Sequence, residues 1–243
     1  MSRRTPWLIL AASGVLWLGV ATGCMGTQFG AELSAKPKPR ALRATQPTTL
    51  RLPQDEAFVI ALPSASKKPG LDGTAEADAS ARTTGQAEAS AGVKQSGTAE
   101  ALFQLGHALA NETDRQMDLD CTVRLKYEFD VSNTPAQRLA DATIGLRLYV
   151  REARGRLLRD LALLDYTTES GAAGRTGDES FRFTATLAPG DVVHVFLAGL
   201  AKVDIPGERA ATAKLKVSGF QFDIIAQPAP AVQPATRPVE PRP

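Results

Sequence analysis

The sequence is poor in the residues that most often carry chemistry. Its 243 residues include two histidines, two cysteines and two tryptophans. His107 and His194 each lie in an apolar stretch with no Cys, His or carboxylate at ligand spacing, so both read as structural and no metal site is expected. A Gly-x-Ser-x-Gly elbow, a phosphate-cradling glycine loop and a Ser/His/Asp set of familiar spacing are all missing. No catalytic residue is assigned, no cofactor is expected, and the reading is that of a non-enzyme. An excess of one charge is missing as well. Arg3 and Arg4 account for the whole difference between 28 basic and 26 acidic residues, which leaves the rest formally neutral and without a field that would draw nucleic acid.

The one long uncharged run lies near the N-terminus. No charged residue occurs from Thr5 to Ala31, and apolar density is concentrated between Trp7 and Val20. That is short for a membrane span of about 20 residues, but it suits the h-region of a signal peptide behind Arg3 and Arg4. It ends in Val20-Ala21-Thr22-Gly23-Cys24, which resembles the lipobox of bacterial lipoproteins, with Ala21 where Leu is commoner. The resemblance implies removal of residues 1–23 and lipidation of Cys24, hence a membrane partner reached through that lipid. It further implies a place in the cell envelope on the extracytoplasmic side, and Met25 after the cysteine favours the periplasmic face of an outer membrane. Ser2-Arg3-Arg4 is also similar to a twin-arginine start, but Pro6 stands where that motif prefers an aromatic residue, which favours Sec export. Trp7 and Trp17 would leave with the signal, and Cys121 would have no disulfide partner.

After Cys24 the composition predicts a disordered tether over 24–97, rich in Ala, Thr and Pro, with short strands in 49–62 as its only ordered candidate. Such a tether would reach roughly 45 to 50 Å. Within it, Ala77-Asp78-Ala79-Ser80-Ala81 is echoed by Ala87-Glu88-Ala89-Ser90-Ala91. A Pro-rich, polyproline-like tail is expected over 228–243.

Between them, 98–227 is predicted to fold as one domain. Leu119, Cys121, Val123, Leu125, Tyr127, Phe129 and Val131 alternate without exception with polar residues. That is a long half-buried antiparallel strand with Cys121 on its dry face, while Asp118 and Asp120 join Arg124 and Lys126 in a solvated stripe. Further alternation runs through Ile144–Arg151, Leu157–Tyr166, Phe181–Leu187, Val192–Leu200 and Ala213–Ile225, the last with a phase slip at Ser218-Gly219 that predicts a β-bulge. The stretch 99–109 fits either a strand or a helix, with the strand favoured. The fold class is therefore all-β: a single antiparallel, immunoglobulin-like β-sandwich of six to seven strands.

Val131-Ser132-Asn133-Thr134, Leu139, Leu146-Arg147-Leu148-Tyr149, Gly155 and Leu187-Ala188-Pro189-Gly190-Asp191 resemble an FxLYD-type immunoglobulin-like domain over roughly 121–200. The resemblance implies an extracytoplasmic binding or structural module without catalytic residues; the alternative is an accessory subunit or hydrolase-type enzyme lacking a familiar motif. Arg147, Tyr149, Arg151, Arg154, Arg156 and Arg159 form a candidate partner contact around one hairpin. Arginine forks suit an anionic envelope component or an acidic envelope protein. The competing reading is a solvated hairpin paired with Glu128 and Asp130 across the sheet.

Overall fold

Two strands are far longer than the rest, and the architecture follows from them. The computed structural model describes residues 29–33, 35–43, 46–134, 142–167 and 173–229. Among these are ten strands: β1 (Arg40–Leu42), β2 (Thr48–Leu52), β3 (Ile60–Pro69), β4 (Thr74–Arg82), β5 (Gln86–Asn111), β6 (Met117–Thr134), β7 (Ala142–Glu152), β8 (Leu157–Thr167), β9 (Ala173–Leu187) and β10 (Val192–Pro228). β5 and β10 pair antiparallel from Val192 opposite Ala110 to Val217 opposite Ala87, with one register shift between Ile205 and Arg209.

At that shift both strands pass from one half of a β-sandwich to the other. Gln95 and Gly97 take positive φ (69° and 139°) on β5, and Pro206-Gly207 lies in the shift on β10. Bulges and bends of this kind are how a strand turns the corner between packed sheets. The upper half has the order β3-β5-β10-β7-β8 and the lower half β4-β5-β10-β6-β9. β2 continues the lower half against residues 222–226, and β1 pairs in parallel with the end of β5, which makes the ten-stranded hydrogen-bonded set mixed.

The core lies between the halves. All seven apolar residues predicted for β6 are buried on its inner face, Cys121 among them. Burial pushes the Cys121 thiol up to about 12, which leaves it protonated and unreactive. Phe58 stacks on Phe220 at 5.0 Å, and Phe129 on β6 meets Tyr166 on β8 at 5.3 Å between ring centroids, joining the halves. The predicted bulge is present: Ser218 is the extra residue where Val217 faces Tyr127 and Gly219 faces Lys126.

The sandwich is all-β and overwhelmingly antiparallel, but its extent corrects the boundaries drawn from composition. It has ten strands rather than six or seven; the short strands expected in 49–62 are matched by β2 and the start of β3, while residues 63–97, expected as disordered tether, form most of β3, β4 and the first part of β5 with their turns. The two echoing alanine segments are the arms of one hairpin, with Ala77 opposite Ala91, Ala79 opposite Ala89 and Ala81 opposite Ala87. Their alternation is period two with methyl groups on the dry side. Ala87, Ala89 and Ala91 are buried in the core, where Leu215 and Val217 of the paired β10 supply the bulk the alanines lack. Composition scored these residues as too small for a core, whereas their neighbours complete the packing. The stretch 99–109 is strand, and its ambiguity has a cause: Gln104, Gly106 and Ala108 are buried on one face as Phe103, Leu105 and Leu109 are on the other. The expected 228–243 tail lies outside the described residues beyond Ala229.

The alanine face of β5 can be probed directly. Ala89→Asp would bury an unpaired carboxylate, costing several kcal/mol against a typical total of about 5–15; thermal unfolding should show loss of the cooperative transition. Ser90→Thr, one residue on and on the outer face between Asp78 and Lys214 of the flanking strands, should melt within a few degrees of the parent.

His107 is fully buried, with neither ring nitrogen hydrogen-bonded. Burial first, then Arg40, lowers its pKa from 6.5 to about 4. Because the folded value is depressed, the unfolded chain takes up the proton first: stability is intact above about 6.5 and falls as pH drops toward 4. His107→Phe should flatten that stretch of the denaturation-midpoint profile.

Candidate functional site

The outer face of the upper half should be solvated by the alternation of β7, yet it is dry. Residues 29–33 cross it as a strap. Ile60, Tyr149, Phe196 and Ala198 form a second apolar cluster there, and Phe29, Ala31 and Leu33 pack against it from above. The Phe29 ring lies directly over Gly145, where a Cβ would come within 2.3 Å of it, so the strap needs a residue with no side chain at that point of β7.

Polar contacts fix the strap more specifically than its three apolar residues could. Four consecutive carbonyls accept hydrogen bonds from side chains of the sheet. The Tyr149 hydroxyl donates to Phe29 O at 2.7 Å, Gln104 Nε2 to Gly30 O at 2.7 Å and Glu32 O at 2.6 Å, and an Arg151 guanidinium nitrogen to Ala31 O at 2.5 Å. A net stabilisation of about 1 kcal/mol for each such bond is typical, more where the donor is charged. The Tyr149 hydroxyl is pushed up to about 12, by burial first and then by Asp160, so it remains a donor throughout the physiological range. His194, on the same face, is lowered by burial and then by Arg151.

The six hairpin residues of the sequence reading therefore divide. Arg147, Tyr149 and Arg151 do share one face, as their spacing predicts, but that face is not an open contact surface. Arg147 is 8% exposed and forms a fork on Asp160, Nε to Oδ1 at 2.9 Å and a terminal nitrogen to Oδ2 at 3.0 Å. Tyr149 is fully buried, and Arg151 is occupied by the strap and by the Gly155 carbonyl. Arg156 pairs with Glu152 across the turn. Arg154 and Arg159 are exposed, and they are what remains of the expected patch. The alternative pairing of the hairpin with Glu128 and Asp130 is also corrected, because those residues lie on the lower half: Glu128 holds Lys216 at 2.9 Å and Asp130 faces Lys214.

The sequence reading missed Gln104 and Phe29, and it missed the strap altogether. A signal existed in the two-sided apolar character of 102–110, which a strand at a solvated face would not have. Also unanticipated is an open depression of about 730 Å³ on the outer face of the lower half, lined by Glu88, Glu128, Asp130, Arg175, Lys214 and Lys216. Its acids and bases alternate across the strands and neutralise one another. Asp118 accepts a hydrogen bond from Thr186, consistent with its place in a solvated stripe. Among the described residues no group of three or more His, Cys, Asp or Glu is placed to hold a metal ion. Cys24 lies outside the described residues.

No protein-family model matches the sequence, and no curated protein matches it. Solved structures similar to it in part include infectious bursal disease virus of the Gt strain, at TM-score 0.23 and 8% identity over 76% of this chain. This chain spans 38% of that one. A family 11 carbohydrate-binding module of the cellulosomal cellulase Lic26A-Cel5E of Clostridium thermocellum has TM-score 0.23 at 10% identity, covering 75% of this chain and 95% of the module. The CBM22-1 xylan-binding domain of Paenibacillus barcinonensis Xyn10C has TM-score 0.18 at 10% identity, covering 68% of this chain and 87% of that domain. Likenesses at these scores assign no ligand to this chain.

Gly145→Val should expel Phe29 and loosen the strap while leaving the inner core intact. Limited proteolysis should then cut within 29–39 much faster than in the parent, and the melting temperature should fall by several degrees. Tyr149→Phe, which loses one hydrogen bond and leaves a carbonyl unpaired, should cost about 1–3 kcal/mol by chemical denaturation.

Proposed function

We propose that the protein is a lipid-anchored, extracytoplasmic and non-enzymatic β-sandwich that acts as a binding or structural module of the cell envelope. The anchor is the lipid on Cys24, and the membrane it enters is the first partner. The observation that carries this reading is the strap. The chain is fixed to the sandwich from Phe29 onward, five residues after the lipobox cysteine, and five residues span at most about 17–18 Å. A segment that ran free could be trimmed or hidden without consequence, whereas here the lipobox leads straight into a built element of the fold.

The consequence differs from that of a long tether. A lipid on Cys24 would hold the sandwich beside the bilayer, and the envelope partner would have to come to the membrane. The outer face of the lower half, with its ladder of paired charges, is then the broad open surface for such a partner, and the exposed Arg154 and Arg159 are the hairpin's cations for an anionic one.

Metabolic labelling with palmitate tests the anchor. The parent should incorporate label and fractionate with membranes, and Cys24→Ser should do neither. Because Trp7 and Trp17 belong to the signal, purified processed protein should also lack tryptophan emission. Tryptophan fluorescence in mature material, or label retained by Cys24→Ser, would overturn the reading.

A further inference from the structure

The β3–β4 hairpin carries an apolar side chain at its crest that nothing in the fold explains. Leu71 is fully exposed, in contrast to the other exposed large apolar residues, Val59, Leu161 and Ile225, which are near 40%. It is not on a loose loop. Gly70 N donates to Ser96 O at 2.9 Å and Gly73 N to Gly70 O at 3.3 Å. A Cβ on Gly70 would lie 2.0 Å from the Ser96 hydroxyl, and one on Gly73 would lie 1.9 Å from the Ser96 carbonyl. The tip is thus clamped to the bend of β5 by two glycines, and Leu71 is held outward from a rigid support.

Its surroundings suit a lipid–water boundary. Lys67 and Lys68 precede the tip on β3, both exposed and without an ion pair among the described residues; Asp72 follows it, and Lys94 and Glu76 stand behind. An apolar crest backed by flexible ammonium groups places hydrocarbon below the headgroups and charge among them.

The strap leads to the same end of the molecule. Arg40 lies beside Leu109 of β5, Glu32 and Gly30 bond Gln104, and Gly30 lies against Leu102, so toward its N-terminus the chain advances along β5 in the direction of residue 97. Gly97 is opposite Pro69, at the base of the tip. From the level of Leu102 to that of Gly97 is about 17 Å along the strand, and the five residues from Phe29 to Cys24 span about the same.

We propose that this tip is a second membrane contact, in which Leu71 seats in the interfacial layer of the bilayer carrying the Cys24 lipid and fixes the orientation of the sandwich on it. The proposal rests on the lipid-anchor reading. Two contacts at one end hold a body upright where one lipid would let it swing, and the outer face of the lower half would stay open to the envelope.

The processed protein offers a clean test, because Leu71→Trp would introduce its sole tryptophan. The lipidated variant is reconstituted in phosphatidylethanolamine–phosphatidylglycerol vesicles with brominated acyl chains, and Val59→Trp, just before the far end of β3, serves as control. Emission of the Leu71→Trp protein should shift to the blue and be quenched several-fold more than that of the Val59→Trp protein. Adding Lys67→Glu and Lys68→Glu should reduce that quenching without changing the melting temperature. Quenching no greater in Leu71→Trp than in Val59→Trp, with the position-71 indole open to aqueous iodide, would overturn the proposal while leaving the anchor standing. A parent protein that shows tryptophan emission, or fails to float with the vesicles, would remove the anchor reading and this proposal with it.

Discussion

The antiparallel pairing of β5 with β10 is the constraint on which the rest of the structure depends. It runs through both halves, so every other strand is placed by where along this ladder it adds. β3 and β7 flank its upper part, and β4 and β6 its lower part. A single register therefore sets the position of Ile144, Leu146 and Leu148 against Leu125, Phe129 and Val131 across the core. A slip of one residue would turn all of these outward together, which is why the shift between Ile205 and Arg209 and the bulge at Ser218 matter more than their size suggests. The first half of that ladder is built from alanine. Small side chains are tolerated because the paired strand and the facing half carry the bulk.

Drying of the outer face of the upper half ties the N-terminal segment to this frame. Gly145, Gln104, Tyr149 and Arg151 form a receptor for extended chain, and its occupant is the protein's own residues 29–33. Tyr149 and Arg151, two of the candidate contact residues, bind a peptide through its carbonyls, and that peptide is the chain's own strap. Under the lipid-anchor reading this turns a flexible tether into a short stalk, and it turns the choice of which surface faces the envelope into a property of the fold.

What was legible in the sequence was whatever rested on strict alternation. The β6 strand, its buried face, the inert Cys121 and the bulge at Ser218 all follow from side-chain period, which backbone geometry enforces. What was hidden rested on context. The alanine hairpin has the same period as β6, but it reads as low complexity because its burial depends on large residues far along the chain. The strap was hidden for a related reason. Phe29 belongs to a run without periodicity, and the groove that receives it exists only once β5, β7 and β10 lie side by side. The burial of Arg147 follows likewise from Asp160, whose place opposite Tyr149 depends on the irregular β7–β8 register.

If Cys24 carries a lipid, the strap makes the sandwich begin where that lipid ends. Neutron reflectometry of the lipidated protein on a supported bilayer measures this directly, because it resolves the water layer between headgroups and protein. An anchored sandwich held by the strap should show protein density beginning within about 20 Å of the headgroups, the covalent limit of residues 24–29. A hydrated gap approaching about 45 Å, the reach of a free tether, would contradict it.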